Sequence, residues 1–165
     1  MKINIYVHTD HPHIASAYRN MANVYYSQGE YSKAQQYHEK SLNMKLNIYG
    51  HTDHPHIASS YSNMACVYHS QGDYSKALQY HEKCLHMRLA GHRTIPHPDV
   101  ADSYLRLGDV SMLLSDFSSA VRYYQQSLSS LQQLCCDAES DRFLYAYDRL
   151  LTAQYLHWYC DCSAN

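Results

Sequence analysis

The residues best equipped for chemistry in this chain are its thirteen histidines and six cysteines. His8, His11 and His13 form an H-x-x-H-x-H cluster that recurs as His51, His54 and His56, and His92 with His97 begins a third version. Neutral imidazoles at this spacing can chelate zinc or copper, with Asp10 and Asp53 as the carboxylates beside them. Against that reading, no cysteine is fixed next to them, and a duplicated segment copies its histidines whether or not they bind anything. Cys135–Cys136 and Cys160/Cys162 cluster late without the C-x-x-C spacing of a zinc site, so free thiols are expected there. The chain has no Gly-rich phosphate loop, no nucleophile elbow and no carboxylate pair set apart from its repeats. The expectation is therefore no enzyme, no cofactor and no metal.

The elements that hold these groups are written nearly twice over in the chain. His8 to Gly50 aligns without a gap on His51 to Arg93, with about 30 of about 43 positions identical, and a period in this range marks stacked helical repeats. A weaker third copy begins at His97. Within the first copy Ala15, Tyr18, Met21, Ala22 and Tyr25 recur at intervals of three and four, the stripe of an amphipathic helix. Gly29 interrupts it, and Tyr31, Ala34, Tyr37, Ser41 and Leu42 begin a second stripe. Most of the eighteen tyrosines fall on such stripes and read as core. Pro12, Pro55 and Pro98 suit the first turn of a helix, where a missing N–H costs little. Gly29 and Gly72 suit the turns, Ser115 makes a costlier one, and Gly50 and Gly91 read as stops. Helices are predicted over 12–28, 31–49, 55–71, 74–90, 98–114, 117–134 and 141–159, with Tyr61, Tyr68, Tyr74 and Ala77 buried.

Composition sets the outer bounds. The chain has 165 residues, 45% of them hydrophobic, a formal charge of −2 and a pI near 6.6, with no basic footprint for nucleic acid. MKINIYVHTDHP lacks an apolar leader, and no stretch reaches the roughly 18 apolar residues of a membrane span. A cytoplasmic chain with no membrane or nucleic-acid partner is expected.

These residues resemble the tetratricopeptide repeat. Its first-helix places are held by Tyr18, Met21, Ala22 and Tyr25, then Tyr61, Met64, Ala65 and Tyr68, then Tyr104, Leu107, Gly108 and Ser111. Its second-helix places are held by Tyr31, Ala34, His38 and Ser41, then Tyr74, Ala77, His81 and Cys84, then Phe117, Ala120, Tyr124 and Ser127. Ser111, Ser115 and the two histidines depart from the pattern. Ordinary members repeat about every 34 residues, and the longer period here is similar to the repeats of kinesin light chains and nephrocystin-type proteins. The resemblance implies an all-α, right-handed solenoid. Its units are a partial second helix over 1–10, repeats over 11–53, 54–96 and 97–138, and a capping helix and tail over 139–165. Residues 1–10 repeat 44–53 at all but two positions, as in a piece of a longer array.

In such a solenoid the first helices line a concave groove that takes a partner peptide. The first two copies differ at Arg19/Ser62, Asn23/Cys66 and Tyr26/His69, whose spacing puts them on one helical face. The groove so implied comprises Ser16, Arg19, Asn23 and Tyr26, then Ser59, Asn63, Cys66 and His69, then Asp102, Leu105, Arg106, Asp109 and Met112. It grades from polar and cationic to apolar and acidic. Arg19, Asn23, Asn63 and Arg106 also occupy places similar to a carboxylate clamp, although Asp102 stands where such a clamp wants a cation. The leading expectation is a non-enzymatic scaffold that binds a protein or short peptide segment. A metal- or redox-responsive module and a structural spacer in a larger protein stand as alternatives.

Overall fold

A computed structural model describes residues 10–50, 54–92, 97–134 and 140–163. Among them run seven helices: α1 (Pro12–Ser27), α2 (Tyr31–Tyr49), α3 (Pro55–Ser70), α4 (Tyr74–Gly91), α5 (Pro98–Leu113), α6 (Phe117–Gln133) and α7 (Asp141–Ser163). α1 pairs with α2, α3 with α4 and α5 with α6, while α2 on α3, α4 on α5 and α6 on α7 stack one pair upon the next. This is the all-α solenoid that the period predicts. Two details differ from expectation. α4 runs through Gly91 and stops at His92, whose N–H bonds back to the Arg88 carbonyl. α7 continues to Ser163, so Cys160, Asp161 and Cys162 are helical rather than a tail. The partial helix expected over 1–10 lies almost wholly outside the described residues. No helix among those described is long and apolar enough to cross a membrane.

The linker histidines have a structural task. His11, His54 and His97 each occupy the N-cap of a first helix, where Nδ1 accepts the backbone N–H of the residue two further on at 3.2 Å. Each cap satisfies a donor that the helix start would otherwise leave free, and the proline that follows has no N–H to satisfy. Between the helices of a pair the chain turns through left-handed backbone at Gly29 (φ 77°) and Gly72 (φ 79°). Ser115 takes the same turn at φ 59°, where a side chain is disfavoured.

Small residues set how closely the helices approach. Ala22, Ala34, Ala65, Ala77 and Ala120 are completely buried, and Met64, Tyr68, Ala77 and Val110 form a core that joins the second pair to the third. Tyr68 and Ala77 are buried as predicted, but Tyr61 and Tyr74 are only half-buried. Tyr61 packs one face on Tyr80 and carries Lys83 beside its ring, while Tyr74 meets His69 edge-on. Both keep an edge in water, as suits an aromatic ring with a polar tip.

Cations near the second-helix ends latch each pair to the next. Lys45 Nζ donates to Ser60 Oγ (2.7 Å) and to the His56 carbonyl (3.4 Å). One period later Arg88 donates to Ser103 Oγ (2.7 Å) and to the Asp99 carbonyl (2.8 Å).

Candidate binding groove

The first helices α1, α3 and α5 bring five of the expected groove residues to one place. Tyr26 from α1, Cys66 and His69 from α3, and Arg106 and Asp109 from α5 line a cleft of about 270 Å³, with His81 and Val110 in its wall. Arg106 Nη1 lies 4.0 Å from Cys66 Sγ. Tyr26 is held by a 2.7 Å hydrogen bond between its hydroxyl and Ser70 Oγ and by edge contact with Tyr31. Ser16 and Arg19 line a second, smaller cleft of about 90 Å³ with Lys45, Tyr49 and His56.

Other expected residues are placed differently. Ser59 lines a separate cleft between α3 and the end of α4, and its hydroxyl is bonded to the Pro55 carbonyl. Asn23 is exposed and Asn63 half-buried, and neither lines these clefts. Leu105 and Met112 pack against the core that α5, α6 and α7 share. Asp102 faces Arg142 of α7 at 3.7 Å, and Asp109 accepts from the Tyr124 hydroxyl (2.8 Å) and from Arg149 Nε (3.2 Å). The two aspartates are seven residues apart on α5 and the two arginines seven apart on α7, so two helical faces meet as a charge ladder.

That ladder changes the electrostatics of the face. The acids at its far end are occupied from within the fold, whereas no ion pair among the described residues involves Arg19, Lys45 or Arg106. Their uncompensated charge shows in the neighbouring titrations. Burial, then Arg106, His69 and Arg88, push His81 down to about 3. Burial, then Lys45 and Arg19, push His38 down to about 4. Buried Lys45, beside Arg19, is lowered to about 8. The surface that emerges is cationic with aromatic and apolar walls, rather than graded toward acid.

Sequence reasoning missed Lys45 and His81 as parts of this surface and the two α7 arginines as its regulators of charge. The signal for the first two was their recurrence one period apart, as Lys45/Arg88 and His38/His81. The signal for the arginines was the matched seven-residue spacing on α5 and α7.

No group of three or more His, Cys, Asp or Glu side chains among the described residues is placed to hold a metal ion. His8, His51, Asp53, Cys135 and Cys136 lie outside those residues. Cys160 and Cys162 are exposed free thiols.

Comparison with known proteins agrees with the geometry. The tetratricopeptide repeat model matches residues 4–47 and 13–90, and a second model of that repeat matches 101–130. BtubC (BKLC) from P. vanneervenii superposes with a TM-score of 0.78 at 19% identity, over 92% of this chain and 60% of that one. The nearly identical repeats of a Podospora anserina putative kinesin light chain superpose with a TM-score of 0.77 at 19% identity, over 91% and 69%. The TPR2AB domain of yeast Sti1, in its complex with pHSP90, gives 0.67 at 18% identity, over 93% of this chain and 51% of that one. The chain thus spans between about half and about two thirds of these structures. No curated protein sequence matches it.

Proposed function

The chain belongs to the tetratricopeptide repeat family, whose members generally mediate protein–protein interactions, and from that premise we propose that it is a non-catalytic scaffold gripping an acidic peptide segment along its first helices. The observation that carries this reading is the cleft itself. Three successive first helices contribute Tyr26, Cys66, His69 and Arg106 to it, and its cation has no carboxylate partner among the described residues. An acidic side chain seated against Arg106 would gain a charge-assisted hydrogen bond, with Tyr26 and Val110 supplying apolar contact. Arg19 offers a second anchor one repeat away. The yeast Sti1 domain in its pHSP90 complex, which shares the fold, supports a peptide as the kind of ligand.

The test is fluorescence anisotropy with labelled acidic peptides drawn from an unbiased screen. Arg106→Ala and Arg19→Ala should each weaken binding about tenfold or more while leaving the melting temperature unchanged. Because Asp102 is engaged by Arg142, the clamp is tested on the peptide: a mid-chain acidic motif binds equally well with its C-terminus amidated, whereas a terminal-carboxylate clamp loses it. Ligands insensitive to both arginines would remove the cleft from consideration and leave the spacer reading standing.

A further inference from the structure

α7 stands in register with the other first helices. It begins 43 residues after α5, and it stacks on α6 as α3 does on α2 and α5 on α4. The correspondence extends to single positions. Ser103, Leu107 and Val110 of α5 are buried against the preceding pair, and their counterparts Ala146, Leu150 and Ala153 are buried too. The other face breaks the pattern. In each repeat the first helix turns a second face toward its own antiparallel partner, at Ala101, Tyr104 and Gly108 in α5. On α7 these places are Leu144, Tyr147 and Leu151, each about half exposed, and the stripe continues through Tyr155 and Trp158, both 62% exposed. α7 presents the pairing face of a first helix, and no second helix among the described residues covers it.

The residues on that face say what fits. A methyl group at Gly108 would lie 2.5 Å from the Tyr124 ring, and the same place is held by nothing larger than Ala22 and Ala65 in the other repeats, so the place that Leu151 fills has no room for a leucine when an ordinary second helix packs there. Leu144 and Leu151 therefore exclude a close-packed repeat partner and call for a wider, side-chain-to-side-chain seam. The stripe is also symmetric. Leu144, Tyr147, Leu151, Tyr155 and Trp158 lie at −7, −4, 0, +4 and +7 about Leu151, all within a narrow sector of the helix. Two copies laid antiparallel would set Leu151 on Leu151, Tyr147 on Tyr155 and small Leu144 against large Trp158. Antiparallel is the relation within each helix pair of this fold, and it is the one that a two-fold axis perpendicular to the helix generates. Aromatics bury about 150–250 Å² each when enclosed, so full coverage of these half-exposed side chains gives roughly 550 Å² per copy and about 1,100 Å² for the pair, which clears the roughly 1,000 Å² a biological interface needs.

We infer that α7 is a homodimerisation helix: two copies of the chain pair α7 with α7 about a two-fold axis through Leu151, each covering the other's exposed α7 stripe. The peptide cleft, bounded by α1, α3 and α5, stays open in such a dimer, which thus carries two clefts.

Sedimentation equilibrium of the full chain under reducing conditions tests this. A dimer is expected at micromolar concentration, and the emission of Trp158, the single tryptophan, should shift to shorter wavelength as the dimer forms. Leu151→Glu and Leu151→Lys should each be monomeric, with helicity and melting temperature in dilute solution unchanged because position 151 is exposed. An equimolar mixture of the two should recover the dimer, since the two-fold sets residue 151 against itself. A wild-type chain that stays monomeric at high micromolar concentration overturns the proposal, as does a dimer that Leu151→Glu leaves intact. Failure of the mixture to recover overturns the two-fold register.

Discussion

The first two repeats carry the same residues at three stacking positions, and the structure treats them in opposite ways. Ile57, Met64 and Val67 are completely buried, while Ile14, Met21 and Val24 are 38%, 42% and 55% exposed. The difference lies in the neighbour: α2 packs against α3, and no described helix precedes α1. In a solenoid the worth of a side chain is set by the interface it enters, so a nearest-neighbour term outweighs sequence identity. The most direct way to break this comparison is one substitution made twice. Met64→Ala should cost about 2–5 kcal/mol, the loss expected when a completely enclosed side chain leaves a cavity. Met21→Ala should cost less than about 1 kcal/mol. Equal losses in denaturant unfolding would mean that α1 is covered in solution as α3 is here.

The same two repeats agree in a second property, and pH probes that agreement. His38 and His81 are both buried, with pKa values lowered to about 4 and about 3, chiefly by burial and then by the cations around them. Above the unfolded value of about 6.5 both states are neutral and stability is complete. As pH falls below that value, the unfolded chain takes up protons that the folded chain refuses, so stability falls until the folded values are reached. Between pH 6.5 and 5 the loss is about 1.5 kcal/mol for each histidine. Thermal melts across that window should show a steady fall, and a flat profile would mean the two imidazoles are accessible to protons. The third repeat, with Tyr124 at this place, contributes nothing to the slope.

Helix positions were legible because the repeat supplies its own punctuation. A His-Pro pair opens each first helix and a left-handed residue follows its end, and the first six helices end within one residue of the predicted bounds. The clefts were half legible. Tyr26, Cys66 and His69 could be assigned to one helical face from spacing, and the family resemblance added Arg106. What α7 does to that face could not, since it depends on a contact between residues some forty positions apart, such as Arg149 with Asp109. The capping role of the linker histidines was not legible for a related reason. Spacing shows where imidazoles lie along the chain, but not that Nδ1 is already accepting a backbone N–H.

The smallest expected effect concerns the two histidines that depart from the aromatic pattern. Tyr124 corresponds to His81 and His38, and Gly108 corresponds to Ala65 and Ala22, each one period apart. A Cβ at position 108 would meet Tyr124 Cε1 at 2.5 Å and Cδ1 at 2.7 Å. The ring cannot readily retreat, because its hydroxyl is held by Asp109 and Arg149 lies over its face. An imidazole is shorter and leaves room for the methyl group, so the first two repeats match Ala with His and the third matches Gly with Tyr. Gly108→Ala should then cost about 1–3 kcal/mol from overpacking, reduced by about 1 kcal/mol from the better helix propensity of alanine. Tyr124→His should be costly alone, since it removes a buried ring and the hydroxyl that Asp109 accepts from. Combined, the two changes reproduce the pairing of the first two repeats, and their joint cost should be smaller than the sum of the separate ones. A denaturation cycle over the four chains measures this coupling. Additivity to within about 0.5 kcal/mol would show that the two places do not sense each other, and the histidines would then need another explanation.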